Sequence, residues 1–235
     1  MREVTKVQIP LTGYAVEGDW YDSDSGRALL VLIGFASNKA KYCDFARKLQ
    51  AVTGASVLVL EYSGHGDSPF DLGEISPAQH FLEVIAAFDW LKDQYPDESI
   101  GVLGTSYGGF MATQLTKYRT FDKLVLRVPA LYPPDVFYDK LKTFENTNHF
   151  QSYRSATPEL ENHPLLKRAS EFSGKTLVVT HELDDICPPN ETGAFTRAFN
   201  AETWEQPGFK HGLSETTPEA SVLEAYYQKI AEWLK

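Results

Sequence analysis

The sequence predicts an α/β fold, a mostly parallel eight-stranded sheet with helices on both faces. Three observations carry this expectation. Apolar runs of strand length alternate with helix-forming stretches along the 235 residues, and that alternation calls for crossover connections and parallel pairing. Runs such as Val57-Leu58-Val59-Leu60 are apolar at every position, as strands covered on both faces must be. Finally, Ile100-Gly101-Val102-Leu103-Gly104-Thr105-Ser106-Tyr107-Gly108-Gly109-Phe110 passes from strand-type residues into helix formers (Met111 to Leu115) through Gly-x-Ser-x-Gly. A serine at such a corner sits on a sharp, strained turn with its hydroxyl pushed outward, and flanking glycines are needed because side chains there would meet the neighbouring strand and helix.

In chain order, Val4 to Ile9 and Tyr14 to Tyr21 read as strands joined by a turn at Thr12-Gly13. Ala28 to Ile33 is a continuous apolar run, followed by a loop and a helix from about Tyr42 to Val52. Ser56 to Tyr62 is the next strand. The helix after it carries its own boundaries: Ser76 as N-cap, Pro77 in the first position, Gln79 as capping-box partner, and Pro96 as the stop near Tyr95. The strand into Ser106 and the helix behind it come next, then a strand at Lys123 to Val128. Thr176 to Thr180 and Glu202 to Glu205 are the last strands. Their helices start near Asn190 and near Thr217-Pro218, the latter running through Trp233.

One segment, 129–172, breaks the alternation. It holds Pro133-Pro134 and the aromatics Tyr132, Phe137, Tyr138, Phe144, Phe150 and Tyr153. An insertion of this length between core strands is expected to form a small helical cap rather than an empty loop. Tyr132, Phe137 and Tyr138 are the candidates for lining a substrate pocket beneath it. The alternative is an aromatic patch that packs on the body.

Composition bounds the function classes. The chain is long enough for one domain with a well-buried core, residues 1–235, and nothing marks a second. Apolar residues make up 43%, ordinary for a globular protein, and no apolar run approaches the ~20 residues needed to span a bilayer. Met1-Arg2-Glu3-Val4-Thr5-Lys6 leads into strand residues with no signal-peptide core, so a cytoplasmic protein is expected. The formal net charge of -10 argues against nucleic-acid phosphates as partners. Cys43 and Cys187 form neither a metal spacing nor a disulfide framework and are expected as free thiols. There is no dinucleotide or phosphate-binding glycine motif and no histidine-rich metal spacing, so no cofactor and no metal is expected. A monomer or a homodimer fits equally.

A serine hydroxyl is a poor nucleophile alone and needs a histidine and a carboxylate. The chain offers Ser106, then Asp184, then His211. All three, with the loop after Ile33, fall at the carboxyl ends of strands, where ligands of parallel sheets bind. On these residues the chain resembles the alpha/beta-hydrolase superfamily, in its small single-domain serine esterase and thioesterase-like branch. The resemblance runs from the strand ending at Gly34 to the helix ending at Leu234.

The resemblance implies Ser106 as nucleophile and His211, in Pro207-Gly208-Phe209-Lys210-His211-Gly212, as general base. It places Asp184 in the acid's slot by its spacing to Pro188, and leaves Asp185 as a loop carboxylate. His65, in Gly64-His65-Gly66-Asp67-Ser68, matches the superfamily's structural turn, and His181 ends the acid's strand. The oxyanion donors implied are the backbone N–H groups of Tyr107 and of Phe35, although Ile33-Gly34 stands where many relatives have His-Gly. The activity implied is hydrolysis of a small-molecule carboxylic ester with a short or aromatic acyl group. Thioester cleavage and acyl transfer share the machinery. The Gly-x-Ser-Tyr-Gly-Gly elbow also occurs in peptidases of the prolyl-oligopeptidase type, which usually add a propeller domain. A ligand-binding module on a disabled hydrolase fold is the remaining alternative.

Overall fold

The computed structural model describes residues 3–142, 147–156 and 160–235, and Phe144 of the insertion lies outside them. Eight strands form one sheet in the order β1-β2-β4-β3-β5-β6-β7-β8. They are β1 Thr5–Leu11, β2 Tyr14–Tyr21, β3 Ala28–Leu32, β4 Ser56–Leu60, β5 Ile100–Thr105, β6 Lys123–Arg127, β7 Lys175–His181 and β8 Glu202–Gln206. The β1–β2 and β2–β4 pairs are antiparallel and every pair from β4 to β8 is parallel.

The handedness of crossovers then places the helices. From β3 the chain runs through α1 (Cys43–Thr53) to β4 on one side, and from β4 through α2 (Pro77–Gln94) to β5 on the other side of β3. Right-handed connections in opposite directions put α1 and α2 on opposite faces. The helix α3 (Tyr107–Leu115) joins α2, while the C-terminal helix α8 (Ala220–Leu234) returns to pack on α1. Phe45 and Tyr227 stack across that pair, 4.5 Å between ring centres. Strands β3, β4 and β5 are buried at every position, as runs without polar alternation require. The reversal at β3 opens a crevice at the carboxyl edge, between the loops that follow β3 and β5.

Local chemistry fixes the ends. Gly54, with φ 73°, closes α1 by donating its N–H to the Gln50 carbonyl. At α2 the Ser76 hydroxyl accepts from the Gln79 N–H at 3.2 Å. The Gln79 side chain engages the Tyr14 hydroxyl rather than completing a capping box.

Within its described part the insertion is helical: a 3-10 turn at Pro134–Tyr138, α4 (Thr147–Ser155), α5 (Pro164–Lys167) and a 3-10 turn at Ala169–Glu171. A helix α6 (Pro189–Phe199) follows β7, and a short α7 (Leu213–Thr216) precedes α8. Sequence reading starts the last helix at Thr217-Pro218. Thr217 instead takes a left-handed conformation (φ 44°) that separates α7 from α8. Among the described residues no helix is long and apolar enough to cross a membrane.

Candidate active site

Ser106 joins β5 to α3 with φ 52° and ψ -113°, a strained conformation for a residue with a side chain. The turn is closed by what surrounds it. The Ser106 N–H donates to the Arg127 carbonyl at 2.9 Å, and the Ser106 carbonyl accepts from Gly109 at 2.8 Å and from Ala130 at 3.2 Å. A Cβ at Gly108 would fall on the Leu32 carbonyl, and one at Gly104 on the Gly108 carbonyl. Both positions therefore exclude any larger residue, and the strand and helix pack closely enough to present the serine at the crevice.

His211 lies between β8 and α7 and reaches both partners. Its Nε2 is 3.0 Å from Ser106 Oγ and its Nδ1 is 2.9 Å from Asp184 Oδ2. The other carboxylate oxygen of Asp184 accepts from the Ile186 and Cys187 N–H groups, each at 2.9 Å. Burial acts to raise the Asp184 pKa, but the His211 bond and charge and those two amides outweigh it and hold the carboxyl below its ordinary value. Ionised Asp184 accepts the Nδ1 proton, which leaves Nε2 with its lone pair facing the serine hydroxyl. Asp185, the neighbouring carboxylate, is exposed. Cys187 Sγ sits within 4.8 Å of the ligand atoms of Asp184 and His211, a metal-sized cluster. Burial, with Glu191 beside it, keeps that thiol protonated, which makes it a poor metal ligand.

The two segments that carry the implied oxyanion amides are linked by a chain of hydrogen bonds through His65, Ser63 and His80. Tyr107 opens α3, so its first-turn N–H has no intrahelical partner. Phe35 lies in the loop after β3, next to Ala36 at φ 52°. The Ala36 N–H donates to His65 Nε2 at 3.0 Å, and His65 Nδ1 donates to the Ser63 carbonyl at 3.3 Å. That same carbonyl accepts from His80 Nε2 at 2.8 Å, and His80 Nδ1 accepts from the Tyr107 hydroxyl at 2.8 Å. A chain of four hydrogen bonds thus links the β3 loop to the start of α3. Sequence reading assigned His65 a structural place and missed His80, whose only signal is a polar residue on the buried side of α2. Replacing His65 by leucine leaves the Ala36 amide without an acceptor. It is expected to lower kcat by up to ~10² with KM changed only a few-fold, and His65→Gln is expected to recover part of the loss. Steady-state kinetics on the two variants checks this.

The site opens into a cavity of about 670 Å³, in the range of small-molecule pockets. Tyr132, Phe150 and Arg154 of the insertion line it, with Phe45 and Tyr227 from α1 and α8. Phe35 and Ser106 also face it. Two of the sequence candidates are elsewhere. Phe137 packs on Phe81 and Phe110, at 6.2 and 6.1 Å between ring centres, and Tyr138 is 79% exposed. The turn that carries them lies against α2, and neither residue lines the cavity. Phe150 takes the place expected of them.

Four buried histidines set the acid limit of the fold. Burial pushes His80 down to about 3 and His163 and His181 to about 4, and it lowers His65 as well. Each holds one donating and one accepting ring nitrogen, the pattern of neutral imidazole. An unfolded histidine titrates near ~6.5. Below that pH the unfolded chain binds more protons, and stability falls as the pH drops towards 4. Glu191, raised by burial to about 8, and Glu83, raised likewise, act oppositely, losing stability as the pH rises through their folded values. Four histidines outnumber the three carboxylates that burial raises, Asp19 included. The melting temperature is therefore expected to fall from pH ~6.5 to 5. Calorimetry across that range checks it, and a flat or rising trend would contradict it.

Comparison with known proteins adds a family and a set of folds. The family model for serine aminopeptidase S33 matches residues 24–163. Among curated proteins, sequence comparison finds no match. Among solved structures, an esterase of Pyrococcus furiosus superposes with a TM-score of 0.71 at 20% identity, covering 99% of this chain and 91% of that one. An esterase of Pyrobaculum calidifontis gives 0.71 at 17% identity, over 98% and 84%. The thioesterase domain from the curacin biosynthetic pathway gives 0.67 at 15% identity, over 96% and 99%. At these identities the likeness is one of fold.

Proposed function

We propose that this chain, which belongs to the serine aminopeptidase S33 family of the alpha/beta-hydrolase superfamily, is a serine hydrolase that cleaves small carboxylic esters through an acyl-enzyme. The observation that carries the reading is His211, hydrogen-bonded to Ser106 on one side and to Asp184 on the other. Ser106 Oγ attacks the ester carbonyl while His211 Nε2 takes its proton. The oxyanion that forms is held by the N–H groups of Tyr107 and Phe35. His211 returns the proton to the departing alcohol, and a water activated by the same nitrogen releases the acid. Tyr132 and Phe150 give the cavity planar walls suited to short or aromatic acyl groups. Thioesters would follow the same steps, and an acceptor alcohol in place of water would make the reaction an acyl transfer.

The family description favours a second reading, cleavage of an N-terminal residue from a peptide. Such a substrate brings an ammonium group and needs carboxylates to meet it. Among the described residues Glu215 is the one carboxylate lining the cavity, against Lys41, Arg127 and Arg154. That balance supports esters over amino-terminal peptides. Turnover of 4-nitrophenyl acetate, butyrate and cinnamate, set beside amino-acid 4-nitroanilides, tests the choice. Ester turnover with an initial burst is the expected result, and faster cleavage of the anilides would overturn it.

A further inference from the structure

We propose that Arg127 and Thr105 form a carboxylate-recognition site inside the active-site cavity, so that the preferred ester carries a second, negatively charged group. The inference deepens the serine-hydrolase reading and rests on it.

The two residues are register partners in adjacent parallel strands, β6 and β5, immediately before the serine corner. Side chains at paired positions of parallel strands point to the same face, with backbones ~4.8 Å apart. Both line the cavity. Both are buried, Arg127 with 6% and Thr105 with 5% of its surface exposed. Arg127 Nε and Thr105 Oγ1 are nevertheless left without a hydrogen-bond partner. Two adjacent buried polar groups without a partner, on side chains that both line one cavity, point to a ligand bound beside them.

The surroundings of Arg127 say what that ligand is. Its guanidinium carbon lies 5.8 Å from the Tyr42 ring centre and 5.9 Å from that of Phe45, and Tyr226 supplies a hydroxyl. Among the described residues no carboxylate pairs with it. The other cavity arginine is built differently: Arg154 has Glu191 at 3.3 Å and the Leu131 carbonyl at 3.2 Å. Arginine stays protonated, and a buried cation beside aromatic rings and one hydroxyl, with no carboxylate paired to it among the described residues, keeps its charge for an anion. A carboxylate matches the planar guanidinium and can take the Thr105 hydroxyl proton on its second oxygen. A single guanidinium and a hydroxyl suit a monoanion better than a phosphate dianion. The charge balance agrees, because among the described residues three cations and one carboxylate line the cavity of a chain whose formal net charge is -10.

The test compares esters that differ by one carboxylate. One arm carries it on the acyl side: the mono-4-nitrophenyl ester of adipic acid against 4-nitrophenyl hexanoate. The other carries it on the alcohol side: 4-acetoxybenzoate against phenyl acetate. In at least one arm the wild type is expected to favour the anionic ester in kcat/KM by about tenfold or more. Arg127→Met is expected to collapse that ratio, mainly through KM, Arg127→Lys to restore part of it, and Thr105→Val to reduce it. A wild-type ratio at or below one in both arms overturns the proposal, and so does a ratio that survives in Arg127→Met. Should Arg127→Met fail to fold, the wild-type ratio and Thr105→Val decide. Wild type that hydrolyses the neutral esters without favouring their charged partners overturns the anion site alone. Wild type that hydrolyses none of the four, and that a fluorophosphonate fails to label, overturns the hydrolase reading together with it.

Discussion

Replacing Ser106 by alanine is expected to lower kcat for ester hydrolysis on the order of 10⁴- to 10⁶-fold, with the melting temperature within a few degrees of wild type. The hydroxyl is the bond-forming atom, and it is the hydroxyl that His211 Nε2 reaches, at 3.0 Å. The fold should tolerate the change, because Ser106 makes its structural hydrogen bonds through the backbone, to Arg127, Gly109 and Ala130. His211→Ala is expected to lose as much. The double variant should be no worse than either single one, since serine and histidine act as a unit. Additive losses would mean that the 3.0 Å contact between them is not used in turnover.

Asp184→Asn should cost nearly as much, about 10⁴-fold in kcat, without removing any atom that touches substrate. The reason lies in the two amides of Ile186 and Cys187, which need an acceptor and find it in Asp184 Oδ1. An asparagine would keep its oxygen there and turn its NH2 towards His211. The imidazole would then have to accept at Nδ1 and carry its proton on Nε2, facing Ser106 as a donor instead of a base. Kinetics on Asp184→Asn, beside a folding check by circular dichroism, tests this. Activity within tenfold of wild type would show that the tautomer is not set by Asp184.

The legible parts of the sequence were those where one local rule decides. The run Tyr14 to Tyr21 is a strand within its sequence bounds. The glycines around Ser106 have no alternative, because neighbouring backbone occupies the space their side chains would need. The carboxylate that His211 meets is the one the superfamily resemblance implied, Asp184 rather than Asp185, by its distance from Pro188. What stayed hidden depends on how elements pack. Phe137 and Phe150 are alike as residues, and only the placement of the 3-10 turn against α2 separates a core ring from a cavity ring. His80 reads as one polar residue in a helix until Ser63 and Tyr107 close on it. Arg127 ends a strand that Lys123 opens, and its meaning depends on the Tyr42, Phe45 and Tyr226 side chains brought from the turn before α1, from α1 and from α8.

The central claim is that Ser106 is activated by His211, and covalent labelling measures it directly. The protein is treated with a fluorophosphonate probe, and the adduct is located by mass spectrometry in wild type, Ser106→Ala and His211→Ala. The expected result is a single adduct on Ser106 of the wild type, absent from Ser106→Ala and strongly slowed in His211→Ala. An unlabelled wild type, or labelling of Ser106 at the same rate without His211, would contradict the claim.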